Sequence, residues 1–305
     1  LYPSLKNEPR VGQYYLKYIA AQKGKRISLD EPIQLLRDVY YHLMLEESEP
    51  LKLLSAKALT NIYVNELFPD SIPFPHLDHL VHQMTSGQYS RRIIYEILQL
   101  LSNAIILWEN ANMVNDKCIP LLMGFVKEVH TSYQKYNSST STVSMDDCDN
   151  PGRMATLSLT ILYQLSLFRT KKLREGQIIR PLPSTVRLIT DPDSMAHIIQ
   201  LLALGMIQNS STQVQQGEML NIRKKLIQQV IPLVQHLLLV NDVVVRRVYE
   251  TGLFYMLFCC IENTNDSNSS ESVVSPLDAD QATLLKNIHM KQEFDMSVFH
   301  LDTEG

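Results

Sequence analysis

Amphipathic helical patterns follow one another along the chain, and their starts recur as pairs at intervals of about 40 to 47 residues. The first members of the pairs are predicted to begin near Pro32, His76, Ile119 and Ser194. Second members are predicted near Leu51, Ser90 and Met154. Apolar residues return at intervals of three and four, which keeps one helical face apolar. Period-two alternation bounded by turn residues is hard to find, so we do not expect a sheet.

Paired helices at this spacing are typical of HEAT and armadillo repeats. A single pair cannot bury its apolar face, so neighbouring pairs must stack to form a continuous core. We therefore predict an all-α fold, an armadillo/HEAT-like right-handed α-solenoid of about five helix pairs with two disordered polar loops. Such arrays bind other proteins more often than they catalyse reactions.

Two polar segments divide the predicted repeats. Residues 137–152 are rich in Ser and Thr and have little to bury, which predicts a flexible loop, and residues 264–280 have the same character. The sequence then divides into N-terminal helical repeats at 1–136, C-terminal helical repeats at 153–263, and a terminal helix and tail at 281–305.

Composition excludes several classes of protein. The chain has 305 residues, 45% of them hydrophobic, and a net charge of about −4, which gives no signal for nucleic acid or an anionic membrane. The four cysteines have no metal or disulfide spacing, as expected in a reducing cytoplasm. No signal peptide is visible, and the start at Leu1 rather than methionine suggests a fragment of a longer protein.

Catalytic signatures are not found in the sequence. It contains no G-x-S-x-G, no P-loop and no G-x-G-x-x-G, so we expect no enzyme and no cofactor. His76, His79 and His82 have a three-residue spacing that leaves a metal-dependent enzyme as an alternative. Helical zinc pairs prefer i, i+4 spacing, so the favoured interpretation is partly exposed histidines without a metal.

A basic cluster is the candidate docking site, and it comprises Arg169, Lys171, Lys172, Arg174, Arg180 and Arg187. Its first four members end a predicted helix, where cations offset the C-terminal dipole. The functional alternative is a docking patch for acidic partner peptides or phosphoinositide headgroups. The proline-punctuated run at 178–193 is predicted to be mostly extended, and aromatic residues do not interleave with the basic ones as nucleic-acid binding requires.

Several stretches resemble a known family, the large J-domain proteins required for receptor-mediated endocytosis. Residues 178–202, IIRPLPSTVRLITDPDSMAHIIQLL, are similar to a segment in which an IIRPLP run leads into a helix ending IIQLL. Further similar stretches occur in the same order: YYLKYIAAQ, RDVYYHLMLE with KALTNIYV, SIPFPHLDHLVHQM, VVRRVYETGLFYMLF and ATLLKNIHMKQEF. The resemblance spans nearly the whole chain, and the shared order gives it its weight.

The resemblance implies a scaffold that is cytoplasmic and peripheral on early endosomes. In this family armadillo-like repeats flank a J domain that stimulates a heat-shock ATPase chaperone, and the repeats are associated with sorting nexins and retromer. This chain has no His-Pro-Asp tripeptide, so J-domain activity is not encoded here. Trp108 is its sole tryptophan, so the aromatic-rich proline-peptide reader of the family is missing too.

We therefore expect a non-catalytic interaction scaffold, part of a larger J-domain co-chaperone that reaches the membrane through other regions. The alternative is an armadillo/HEAT adaptor in nuclear transport or cytoskeletal assembly.

Overall fold

A computed structural model describes residues 33–63, 73–136, 150–170, 183–206, 216–240, 244 and 246. Within these ranges the backbone forms helices and turns and no β-strand, which confirms the all-α prediction for this part of the chain. The two predicted polar loops lie almost entirely outside these ranges, as does the terminal helix at 281–305.

Ten α-helices and one 3₁₀ turn account for the ordered backbone of the described ranges. They are α1 (Ile33–Leu43), α2 (Glu49–Tyr63), α3 (Leu77–Thr85), α4 (Arg91–Ala104), α5 (Trp108–Met113), the 3₁₀ turn (Asp116–Cys118), α6 (Ile119–Tyr136), α7 (Pro151–Arg169), α8 (Ser184–Ile189), α9 (Pro192–Met206) and α10 (Gln216–Val240).

The observed helix starts agree closely with the predicted ones. Ile119 begins α6, as expected, and His76 and Ser90 stand at the N-cap positions of α3 and α4. Neither cap side chain bonds to its helix, so backbone geometry rather than side-chain capping defines these starts. Helix α3 ends before Gly87, which adopts a φ of 76° that only glycine tolerates without strain.

Three local predictions were wrong. Helix α7 begins at Pro151, so the last two residues of the predicted loop at 137–152 are helical, in keeping with the preference of proline for a first turn. The run at 178–193, predicted to be extended, contains α8, because Thr185, Val186 and Ile189 share one buried face. Helix α5 was not predicted at all.

The chain divides into two compact units, one made of Leu1–Leu121 with Ser141–Asn150 and the other of Leu122–Thr140 with Pro151–Gly305. In the first unit α1 packs on α2, α2 on α4, and α3 on both α5 and the 3₁₀ turn. The largest side chains of its core are fully buried: Leu36, Tyr40, Leu59, Phe74, Leu77, Leu80 and Ile97. Burial of each contributes about 1.5–3 kcal/mol.

In the second unit α7 packs on α8 and α10, and α9 packs on α8 and α10. Helix α7 is buried on more than one side, because Met154, Leu159, Ile161 and Leu165 all lie inside. Helix α10 contributes a buried apolar stripe to this core, formed by Leu226, Val230, Leu233, Val234 and Leu237.

Candidate functional site

Two members of the predicted basic cluster, Arg169 and Arg187, lie in the described part of the structure. Arg169 stands in the last turn of α7, with its guanidinium carbon 5.2 Å from the centre of the Phe168 ring. Arg187 is exposed on α8, which packs on α7. Lys171, Lys172, Arg174 and Arg180 lie outside the described residues. The structure therefore places two of the six on neighbouring helices.

The predicted histidine group contacts an aromatic residue of the preceding helix. The ring of Tyr41 in α1 stacks on the ring of His76, with centroids 4.6 Å apart and an angle of 8°. Its hydroxyl is hydrogen bonded to Nδ1 of His79, and its ring is nearly perpendicular to that of Phe74, with centroids 5.8 Å apart. His76 and His79 therefore both contact α1 through Tyr41.

No metal centre forms from these histidines. Across the described ranges, no group of three or more His, Cys, Asp or Glu side chains is arranged to hold a metal ion. The neighbouring tyrosines are poor acid–base groups at neutral pH. Burial and the Asp78 carboxylate raise the pKa of Tyr41, and burial followed by the effect of Tyr41 raises the pKa of Tyr89 to about 12.

An exposed apolar feature lies between α4 and α5, in the first unit. Ile105 turns into the core, but Ile106 is 56% exposed and Trp108 is 59% exposed. We call these two side chains the 106–108 ridge. Large apolar side chains that stand together on a surface often mark a protein-binding site, and tryptophan is enriched where binding energy is concentrated.

Hydrogen bonds hold the backbone beneath the ridge. The amide of Leu107 donates to the carbonyl oxygen of Ala104 at 3.3 Å, and the amide of Ala111 donates to that of Leu107 at 3.0 Å. Asn110 is fully buried, and its Nδ2 donates to the carbonyl oxygen of Ala104 at 2.9 Å. Its Oδ1 accepts from the amide of Phe74 at 2.7 Å, which ties the turn to the start of α3.

The sequence patterns did not indicate this site, because apolar periodicity identifies the buried face of a helix and not the exposed apolar residues beyond its end. The available signal was the run Ile105, Ile106, Leu107, Trp108, since four consecutive apolar residues cannot all face the core from one helix. A polar buried residue such as Asn110, by contrast, gives no sequence signal of its burial.

None of the helices within the described ranges combines the length and the apolar character needed to cross a bilayer.

Comparison with known proteins gives little. No family model and no curated protein matches the chain. Four solved chains match. One of them is the crystal structure of an engineered protein from the Northeast Structural Genomics Consortium, with 13% identity and a TM-score of 0.49 over 90% of this chain and 89% of that one. These comparisons assign the chain to no family.

Proposed function

We propose that this chain is a non-catalytic protein-interaction scaffold in endosomal sorting and receptor-mediated endocytosis. It is built as an armadillo/HEAT-like right-handed α-solenoid and forms part of a larger J-domain co-chaperone. Its partners are endosomal proteins of the sorting-nexin and retromer type, and a heat-shock ATPase chaperone engages the J domain outside this chain. The ordered set of motifs that includes residues 178–202 supports the pathway.

One observation carries the solenoid proposal. Side chains of α1 and α2 in the first unit contact residues 33 to 39 positions later, and three hydrogen bonds of that unit span 36 residues. A side chain of α1 reaches the residue 36 positions later, since the Arg37 guanidinium donates to the carbonyl oxygen of Pro73. Helix α2 reaches α4 over the same interval, because Thr60 Oγ1 donates to the carbonyl oxygen of Glu96 at 3.0 Å.

Phe74 and Asn110 repeat the interval of 36 residues a third time. A recurring interval near 36 residues is expected when each helix pair meets the next in a similar register, as stacked repeats require. The interval is shorter than the 40 to 47 residues that the helix starts predicted.

The second unit shows a related regularity with a longer interval. Lys127 of α6 pairs with Asp193 of α9, 66 residues later. Thr170 follows α7 and contacts His236 of α10, also 66 residues later. Helix α7 packs on α10 over this interval, while α6 reaches α9 through the Lys127–Asp193 pair. The short helix α8 accounts for part of the added length.

Stacked helices act without making or breaking a bond, because they present a long, preformed surface to a partner. The proposal accordingly assigns no catalytic residue, no metal and no cofactor. Arg169 and Arg187 are the described candidates for docking an acidic segment, and Arg187 is the more exposed of the two.

The proposal is tested by deleting the region that corresponds to this chain from the full-length protein in cells. We expect endosomal cargo and sorting-nexin or retromer subunits to lose their normal distribution, while stimulation of the chaperone ATPase by the purified protein is unchanged. An Arg187→Glu variant should weaken recovery of the endosomal subunits more than Arg246→Glu, a matched charge reversal at another exposed arginine.

Two results would overturn the assignment. A loss of chaperone stimulation on deletion would place this region in the J-domain activity itself. Recovery of importin cargo or tubulin in place of endosomal proteins would move the scaffold to nuclear transport or to cytoskeletal assembly.

A further inference from the structure

The 106–108 ridge has properties that a scaffold surface requires but that packing of its own unit does not explain. Two large side chains, Ile106 and Trp108, are each more than half exposed and separated by one residue. Covering exposed apolar surface of this kind with a partner is favourable, because it removes that surface from water.

The ridge is preorganised. Asn110 fixes the turn through its bonds to Ala104 and Phe74, and Ile105 anchors the start of the turn in the core. A partner that binds here does not have to order the backbone of the turn, so little of the contact energy is lost to entropy. Rigid tryptophan anchors of this kind carry much of the energy of protein interfaces.

The charged residue next to the ridge in sequence is acidic. Glu96 is offset by Lys57 at 4.0 Å and Asp116 is followed by Lys117, which leaves Glu109 as the acidic side chain of interest. Glu109 directly follows the tryptophan, and its Oε2 is buried without a hydrogen-bond partner in the described structure. Since no donor among the described residues bonds to that oxygen, its negative charge favours a cation nearby.

We propose that the 106–108 ridge docks a partner protein through a segment in which an arginine is flanked by aliphatic residues. The aliphatic side chains cover Ile106, and the planar guanidinium lies on the indole of Trp108, within the field of Glu109. Arginine fits better than lysine because its guanidinium stacks on an aromatic ring and is more weakly hydrated. This inference rests on the scaffold role proposed above and specifies its partner chemistry.

The test uses the whole chain labelled with ¹⁵N. Because Trp108 is the sole tryptophan, its indole N–H gives a single side-chain peak that reports directly on the ridge. The probe is the peptide Gly-Ser-Leu-Arg-Leu-Ser-Gly. Its control replaces arginine with citrulline, which keeps the shape and removes the charge. We expect the arginine peptide to move the indole peak saturably, with an affinity at least about fivefold higher than that of the citrulline peptide.

Three variants separate the contributions of the ridge. Ile106→Ala should weaken the arginine peptide about fivefold, as removal of an apolar anchor does. Glu109→Gln should weaken it about three- to tenfold and abolish the preference over citrulline. Leu188→Ala, which removes an exposed leucine from the other unit, should leave the affinity unchanged. The positions of the remaining backbone peaks show whether each variant is folded.

Several outcomes would overturn the inference. These are an indole peak that does not move at millimolar peptide, equal affinities for the arginine and citrulline peptides, or an affinity that Glu109→Gln leaves intact. A peak that moves with protein concentration in the absence of peptide would instead show that a second copy covers the ridge. Failure of the endosomal role appears separately, as endosomal cargo that keeps its distribution when the region is deleted.

Discussion

The side-chain oxygen of Asn110 accepts a 2.7 Å hydrogen bond from the backbone amide of Phe74, a residue 36 positions earlier in the chain. Both residues are fully buried. The same Asn110 side chain donates to the carbonyl oxygen of Ala104 at 2.9 Å. One amide group therefore satisfies two backbone groups from different elements, and it sets the position of the turn that carries the 106–108 ridge.

Asn110→Ala should destabilise the first unit by about 1–3 kcal/mol. It leaves the buried amide of Phe74 without its partner and removes one of two donors to the carbonyl oxygen of Ala104. Urea unfolding followed by circular dichroism and by Trp108 fluorescence measures the change. Asn112→Ala is the matched control on the same helix. Asn112 is exposed, so water can replace a lost bond and the replacement should cost less than Asn110→Ala. Equal effects of the two variants would show that the bonds of Asn110 contribute little.

Arg37 and Tyr63 should behave as a coupled pair. Burial raises the pKa of Tyr63, and the guanidinium of Arg37 opposes part of that rise. No hydrogen bond to the buried Tyr63 hydroxyl forms among the described residues, so the coupling acts through charge. Arg37 also donates to the carbonyl oxygen of Pro73. In a double-mutant cycle with Arg37→Met and Tyr63→Phe, the coupling free energy should be about 0.5–1.5 kcal/mol. Strictly additive losses of stability would show that the two side chains do not interact.

Two threonines of the second unit offer an internal comparison. Thr170 Oγ1 lies 2.9 Å from Nε2 of the buried His236, while Thr160 Oγ1 lies 3.0 Å from Oε1 of the half-buried Gln229. Replacement by valine keeps the shape and removes the hydroxyl in both cases. Thr170→Val should cost about 1–3 kcal/mol, because it strands a buried ring nitrogen.

Thr160→Val should cost less than about 1 kcal/mol, because water can reach Gln229 and replace the lost partner. Thermal and urea unfolding of both variants gives the difference. If Thr160→Val is the more damaging, burial does not govern the energy of these bonds.

Asp193 should make acid stability depend on Lys127. The hydrogen bond from Lys127, followed by its charge, holds the pKa of Asp193 below its ordinary value of 3.8. The contribution is therefore present above pH 3.8 and is lost as the pH falls through the lower value of the folded state. The difference in unfolding free energy between the wild type and Asp193→Asn should shrink between pH 6 and pH 3.

Added salt should reduce the same difference at pH 6, because Asp193 is exposed and its charge is screened. A difference that grows on acidification would contradict the assigned direction of the pKa shift.

Individual residues show which features of the fold sequence patterns can predict. The helix starts near Ser90 and at Ile119 were placed correctly, because apolar periodicity acts locally. Helix α8 was missed because Pro183 was taken to extend the chain, whereas it stands at the N-cap of the helix. Local patterns cannot separate these roles, since proline suits both.

The candidate sites show the same limit of local sequence patterns. The histidines of α3 were recognised from their spacing, but their partner Tyr41 lies 38 residues from His79, and sequence spacing within one helix gives no information about it. Trp108 is exposed and Asn110 is buried, which is the opposite of what is usual for a large apolar and a polar side chain.

Local sequence patterns predicted that the described part of this chain is helical and where most of its helices begin, because those properties depend on residues within a few turns of one another. Packing between distant segments settled which buried polar groups find partners, as with Asn110 and Thr170, and which apolar groups remain exposed, as with Ile106 and Trp108. These outcomes depend on contacts between residues that lie 36 or 66 positions apart in the sequence. Such contacts are set by the packing of the whole unit.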